Sequence, residues 1–155
     1  MSRMVENPTC PHTTAKVLTL LNASEIRQVE VLPSQGQCMD KQAIELPGAA
    51  KYGPYSAGVQ SGDMFWLSGQ IAVDFEGVKA QTQGALDKID TLLDNAGLTR
   101  ENICFAQILL DDINDFAAMN EVYGAWVSEL SVKPARAAFA AAALPAGALV
   151  EIVVQ

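Results

Sequence analysis

The chain has 155 residues, 50 % of them apolar and 18 % charged, which fits one compact domain burying roughly two-thirds of the surface its unfolded chain exposes and excludes a disordered protein. Eighteen acidic against ten basic residues give a net charge of −8, so a sequence-independent hold on a phosphate backbone would work against the field of the whole molecule. The one histidine, His12, sits in a tail-like segment, which argues against a His-based triad, metal cluster or general base. Cys10, Cys38 and Cys104 are too few and scattered for a disulfide framework and form no CxxC pair, so a cytoplasmic protein without a metal site is expected. No stretch approaches a membrane span, and Glu6 precedes any apolar run, unlike a secretory signal. The Asn22-Ala23-Ser24 sequon reads as chance in that setting.

Residues 1–40 mix Pro, Thr, Ser and Gln around one apolar knot at 17–21 and read as an N-terminal extension, which leaves organellar targeting open. The domain is expected over 41–155. A short strand is expected at 42–46, then strands at 57–60 and 64–70 joined across Ser61-Gly62-Asp63 as a hairpin. Over 78–96, Val78, Leu86, Ile89, Leu92, Leu93 and Ala96 share one helical face, with Gly97 where a left-handed C-cap is wanted. The apolar run 103–110 has the pattern of a strand covered on both faces, with Cys104 as core. Asp112 or Asn114 can cap a second helix, in which Phe116, Met119, Val122, Tyr123, Trp126, Val127 and Leu130 repeat at three and four. Strands at 136–143 and 149–154 are expected around the turn at 144–147, the first on position rather than propensity. The order β-β-β-α-β-α-β-β predicts an α+β two-layer sandwich, a mixed sheet with two helices on one face. Its strands carry apolar residues on both sides, so the bare face predicts a closed homo-oligomer.

Two residues break local rules. Arg136 stands alone among small apolar side chains in Pro134-Ala135-Arg136-Ala137-Ala138. The plain reading is a strand-end arginine reaching water or a neighbouring carboxylate; the functional one is a fork taking a ligand carboxylate in a small-walled cleft. Glu151 is an acid inside an apolar strand, either on a solvated face or half-buried with a raised pKa as a proton carrier. A simple hairpin would set Glu151 opposite Ala141, roughly 16 Å from Arg136, so their cooperation would need a bulge, a ligand between them or a second subunit. Three weaker signals accompany them: the Gly53-Pro54-Tyr55-Ser56 turn with its aromatic, the Ser68-Gly69-Gln70 strand exit, and Asn120 among apolar helix positions.

In order, Gly53-Pro54-Tyr55-Ser56, Ser68-Gly69-Gln70-Ile71, Ala80-Gln81-Thr82, Asp111-Asp112-Ile113-Asn114-Asp115-Phe116, Asn120-Glu121-Val122-Tyr123, Pro134-Ala135-Arg136 and Leu144-Pro145 leading to Val150-Glu151-Ile152 resemble the reactive-intermediate deaminase family (RidA, YjgF, also labelled L-PSP endoribonuclease). The resemblance spans residues 42–155. It implies a chorismate-mutase-like fold, a homotrimer with clefts at subunit interfaces, and cofactor-free hydrolysis of 2-imino acids such as 2-iminopropanoate and 2-iminobutanoate to 2-keto acids and ammonia. By matching motif, Arg136 would hold the substrate carboxylate and Glu151 would position the attacking water or shuttle its proton. Tyr55 would pack over the substrate, Ser68 and the Gly69 backbone would line the pocket, Asn120 would border it, and the backbone at Ala138 would contact the ligand. Three departures stand out: Ala137-Ala138 replaces the family's usual Ser-Cys pair, the 71–79 connection is shortened, and residues 1–40 have no family counterpart. A non-catalytic small-carboxylate-binding regulatory trimer and an endoribonuclease are the competing expectations, the latter opposed by the charge and the missing internal histidine.

Overall fold

The computed structural model describes residues 40–46, 48 and 53–155. The extension expected over 1–40 lies, apart from Asp40, outside the described residues, as do His12, Cys10, Cys38 and the sequon. The elements run β1 (Lys41–Ile44), β2 (Gly58–Ser61), β3 (Met64–Gln70), α1 (Val78–Asn95), β4 (Phe105–Leu110), α2 (Phe116–Trp126), β5 (Ala135–Ala140) and β6 (Val150–Val154), with short 3₁₀ turns at Arg100–Asn102, Ile113–Asp115 and Pro145–Gly147. The strands form one six-stranded sheet in the order β1-β2-β3-β6-β4-β5. This is the expected mixed sheet with two helices.

Local chemistry explains most elements. Gly62, at φ 58°, turns the β2–β3 hairpin, in which Ser61 pairs with Met64. Helix α1 ends at Gly97, φ 69°: the Leu98 N–H reaches the Leu93 carbonyl and the Gly97 N–H the Asp94 carbonyl, the paired bonds of a Schellman motif. The Asp112 carboxylate accepts the Asn114 N–H at 2.9 Å and starts the turn that leads into α2. Ala85, Leu86, Ile89, Leu92 and Leu93 of α1 and Met119 of α2 are fully buried against Ala106, Ile108 and Leu110 of β4 and Val150, Ile152 and Val154 of β6. Each large member of that core contributes about 1.5–3 kcal/mol by leaving water.

Polar groups fasten the two helices. The Asp90 carboxylate accepts from Arg100 Nε and Nη2 at 2.8 and 2.6 Å and from Trp126 Nε1 at 3.1 Å, so one acid ties α1 to the end of α2. Buried Gln81 donates to the Phe75 carbonyl at 3.0 Å and accepts the Leu149 N–H at 2.9 Å. It thereby stitches the shortened 71–79 connection to the start of β6, which gives the Ala80-Gln81-Thr82 motif a structural explanation.

Three expectations need correction. The last two strands form no hairpin: β6 enters the sheet between β3 and β4, so Glu151 pairs with Leu109, and Leu109 in turn with Phe139 on β5, not with Ala141. Strand β4 is not covered on both faces, because its residues alternate between fully and partly buried, and Cys104, just before it, is exposed rather than core. Helix α2 stops at Trp126; Val127 is buried and Leu130 partly buried, but both pack on the core from the following turn. Among the described residues no helix is long and apolar enough to cross a membrane.

Candidate functional site

Strand alternation sorts the candidate residues onto two faces of the sheet. Arg136 and Ala138 pair with Ala106 and Ile108, whose side chains lie in the core beneath the helices. They therefore face the helix layer, with Arg136 at the outer edge because β5 is the last strand. Glu151 falls in the other phase, on the side away from the helices, in one row with Leu109 and Phe139.

The Arg136 guanidinium is held by α2. Nη1 donates to Asn120 Oδ1 at 2.8 Å, and the Cζ atom lies 4.8 Å from the centroid of the Tyr123 ring and 5.7 Å from that of Phe116. Phe116, Asn120 and Tyr123 follow one another at i+4 and i+3, so they form one ridge of the helix. Among the described residues no carboxylate pairs with Arg136. With Nη1 on Asn120, the Nε–Nη2 edge carries no partner among the described residues, and that edge has the geometry of a carboxylate fork. Asn120, expected to border a cleft, accepts the hydrogen bond that orients Arg136.

Around Glu151 the backbone has been cleared of side chains. The register of β3 against β6 shifts between Leu67 and Gln70, and a Cβ built on Gly69 would lie 1.7 Å from Glu151 Oε1. Gly69 is there for space: its φ is not positive, yet any side chain would collide with the carboxylate that lies over it. Burial pushes the Glu151 carboxyl above its ordinary value. Ser68 donates its hydroxyl to the Ser56 carbonyl at 2.8 Å and its N–H to the Ala57 carbonyl at 2.9 Å. These bonds anchor the Gly53–Ser56 turn beside the register shift, with Tyr55 42 % exposed at its tip.

The chain thus builds two half-sites. Arg136, Asn120 and Ala138 form one; Glu151, Gly69 and Ser68, with the root of Tyr55, form the other. They lie on opposite faces, with β4 between β5 and β6, and Arg136 is three residues along its strand from the Phe139–Leu109–Glu151 row, roughly 10 Å. One chain does not bring the two charged groups together. Phe116 and Tyr123, which the arrangement adds to Arg136, read in the sequence as ordinary core positions; their spacing of −4 and +3 around Asn120 is the signal that marks them. Among the described residues no group of three or more His, Cys, Asp or Glu could hold a metal ion.

The comparisons with known proteins place the chain in a family. The family model described as Endoribonuclease L-PSP matches residues 47–155. A RutC family protein of Aquifex aeolicus is 38 % identical over 116 residues, 70 % of this chain and 93 % of that protein. The goat (Capra hircus) protein named 2-iminobutanoate/2-iminopropanoate deaminase is 41 % identical over 110 residues, 66 % of this chain and 79 % of its own length. The crystal structure of E. coli TdcF with bound serine superposes with a TM-score of 0.67 at 33 % identity, covering 73 % of this chain and 95 % of the other. The family-model match over residues 47–155, these relatives and the shared fold show that the chain belongs to the L-PSP endoribonuclease family, the RidA/YjgF family of reactive-intermediate deaminases.

Proposed function

We propose that this protein is a hydrolytic deaminase that converts 2-imino acids and their enamine tautomers, 2-iminopropanoate and 2-iminobutanoate among them, to 2-keto acids and ammonia in the cytoplasm. The observation that carries the reading is Arg136, a guanidinium held by Asn120 and two aromatic rings with its Nε–Nη2 edge uncommitted among the described residues. Such a fork suits a small carboxylate, and Ala138, next along the same face of the strand, leaves room for one. The goat and mouse relatives that bear the deaminase name support the same substrate class.

The reaction needs Glu151 as well, so we place the working site between two subunits of a homotrimer, with Arg136 from one and Glu151 from its neighbour. The open sheet face supports this: Met64, Trp66 and Phe139 are 54, 39 and 45 % exposed there, an apolar surface that self-association would cover. In such a site Arg136 fixes the substrate carboxylate, while Tyr55, Ser68, Gly69 and Ala138 line the space around it. Water held by Glu151 adds its oxygen to C2 of the protonated imine and gives one proton to the carboxylate, which hands it to the nitrogen of the tetrahedral adduct. The C2–N bond then breaks; the adduct's hydroxyl becomes the carbonyl, and its proton leaves with the nitrogen as ammonium. Holding imine and water in one geometry supplies an entropic advantage. A carboxyl whose pKa is raised by burial suits reversible proton transfer near neutral pH.

The test is hydrolysis of 2-iminopropanoate and 2-iminobutanoate, generated in the cuvette by an amino-acid oxidase or a dehydratase, by the wild type and by Arg136→Ala. The wild type should accelerate 2-keto acid formation, and the variant should lose about a hundredfold or more in kcat/KM, the cost of removing one side of a charge-assisted bidentate contact. A trimeric wild type that binds pyruvate but hydrolyses nothing would make the protein a carboxylate-binding regulator; steeply salt-dependent RNA binding with cleavage would make it a ribonuclease.

A further inference from the structure

Tyr123 is 5 % exposed, and its hydroxyl is buried with no hydrogen-bond partner among the described residues. The hydroxyl thus makes no bond within the described chain, and the contacts that distinguish this residue are those of its ring. The ring has two aromatic or cationic neighbours. Its centroid lies 5.8 Å from that of Trp126, at an interplanar angle of 45°, and the Arg136 Cζ sits over the ring, 4.8 Å from its centroid. Trp126 is itself immobilised, by Asp90 on its Nε1 and by Arg100, whose Cζ is 5.0 Å from the indole. Asp90, Trp126, Tyr123 and Arg136 therefore form a continuous chain of contacts, anchored in the α1–α2 contact and ending at the guanidinium.

We propose that Tyr123 is a positioning residue for the Arg136 fork: its ring face, backed by Trp126, fixes the guanidinium plane so that the Nε–Nη2 edge points outward, ready for a carboxylate. This rests on the proposed role of Arg136 as carboxylate clamp, and it assigns the work to the π-face rather than to the hydroxyl. Asn120 grips one nitrogen and leaves the plane free to swing about that bond; of the two rings within about 6 Å of the cation, Phe116 lies at 5.7 Å and is 38 % exposed, whereas Tyr123 lies nearer, at 4.8 Å, and is buried, so Tyr123 restrains the plane more. An ordered fork loses less entropy when the carboxylate binds.

The experiment compares Tyr123→Phe, Tyr123→Leu and pentafluorophenylalanine placed at position 123, which keeps the ring's shape but reverses the charge on its face. Two readouts are taken in the trimer: KM and kcat for 2-iminopropanoate, and the order of the Arg136 Nε–H vector by ¹⁵N relaxation without ligand. Tyr123→Phe should match the wild type in both. The leucine and fluorinated variants should raise KM about tenfold, the size of a partly desolvated cation–π contact, with kcat within about twofold, and should loosen Nε–H. If Tyr123→Leu does not fold, the fluorinated ring carries the comparison. An Nε–H equally ordered with every side chain overturns the proposal, as does a Tyr123→Phe variant as impaired as Tyr123→Leu, which would return the role to the hydroxyl. Because Nε–H order is read without substrate, a wild type that hydrolyses nothing would sink the deaminase reading and still leave the positioning role decided.

Discussion

The two faces of the sheet use the same strands to opposite ends. Toward the helices, Ala106, Ile108, Leu110, Val150, Ile152 and Val154 are fully buried by the chain's own α1 and α2. Away from them, the alternate residues Phe105, Gln107, Leu109, Glu151 and Val153 are only partly buried, and Trp66 and Phe139 stand exposed beside them. One face is complete as a single chain. The other has the composition of an interior without its cover, and it holds an acid where a core would hold another valine. The helix face therefore answers for the stability of the fold, and the open face is the surface on which the proposed assembly and the proposed role of Glu151 rest.

Breaking the open face should have the largest effect. Trp66→Asp puts a charge on a surface the single chain leaves exposed, so the folded domain should persist by circular dichroism while light scattering reports monomers and the 2-imino acid hydrolysis disappears. An active monomer would uncouple the site from assembly. A second change sharpens the comparison within that face. Gly69→Ala places a methyl where Glu151 Oε1 lies, and the carboxylate must swing away; kcat should fall by about ten- to a hundredfold, the contribution of a displaced general base, with the trimer intact. Unchanged kcat would show that the carboxylate is not needed where the structure puts it.

The smallest effect is a stability change with a defined sign. Burial raises the Glu151 pKa in the folded chain, so between its ordinary value and the raised one the folded state binds more protons than the unfolded state. Stability attributable to this group is then greatest at low pH and is lost as pH rises through the folded pKa. Glu151→Gln removes that dependence. Its Tm should exceed that of the wild type by about a degree or two at neutral pH, and the two should converge as the pH approaches 4.5, the group's ordinary value. A Tm difference that does not change with pH would place the effect elsewhere.

Much of this was legible in the sequence, for identifiable reasons. Residues 64–70 form a strand on the expected bounds, and Gly97 closes the first helix, because alternation, helical period and a left-handed glycine are local signals. The insertion of β6 between β3 and β4 is a choice among distant partners that no local pattern encodes, and a tight turn at 144–147 favoured the wrong neighbour. The run at 103–110 read as doubly covered because the apolar residues of the open face look, in sequence, like those of a core. Arg136 and Glu151 stood out as charges in apolar strands, whereas Tyr123 did not, since an aromatic at helical spacing has the same pattern whether it fills a core or backs a cation.

The central claim is that Arg136 and Glu151 act together only across two chains. Unfolding Arg136→Ala and Glu151→Gln together in equal amounts and refolding the mixture tests it directly. If each site takes its arginine from one subunit and its glutamate from the next, one site in each mixed trimer has both groups, about a quarter of all sites in the randomly refolded population, and about that fraction of wild-type activity should return although each variant alone is inactive. A mixture no more active than its parents, with mixed trimers demonstrated by mass spectrometry, would contradict the account and place both groups of each site on a single chain.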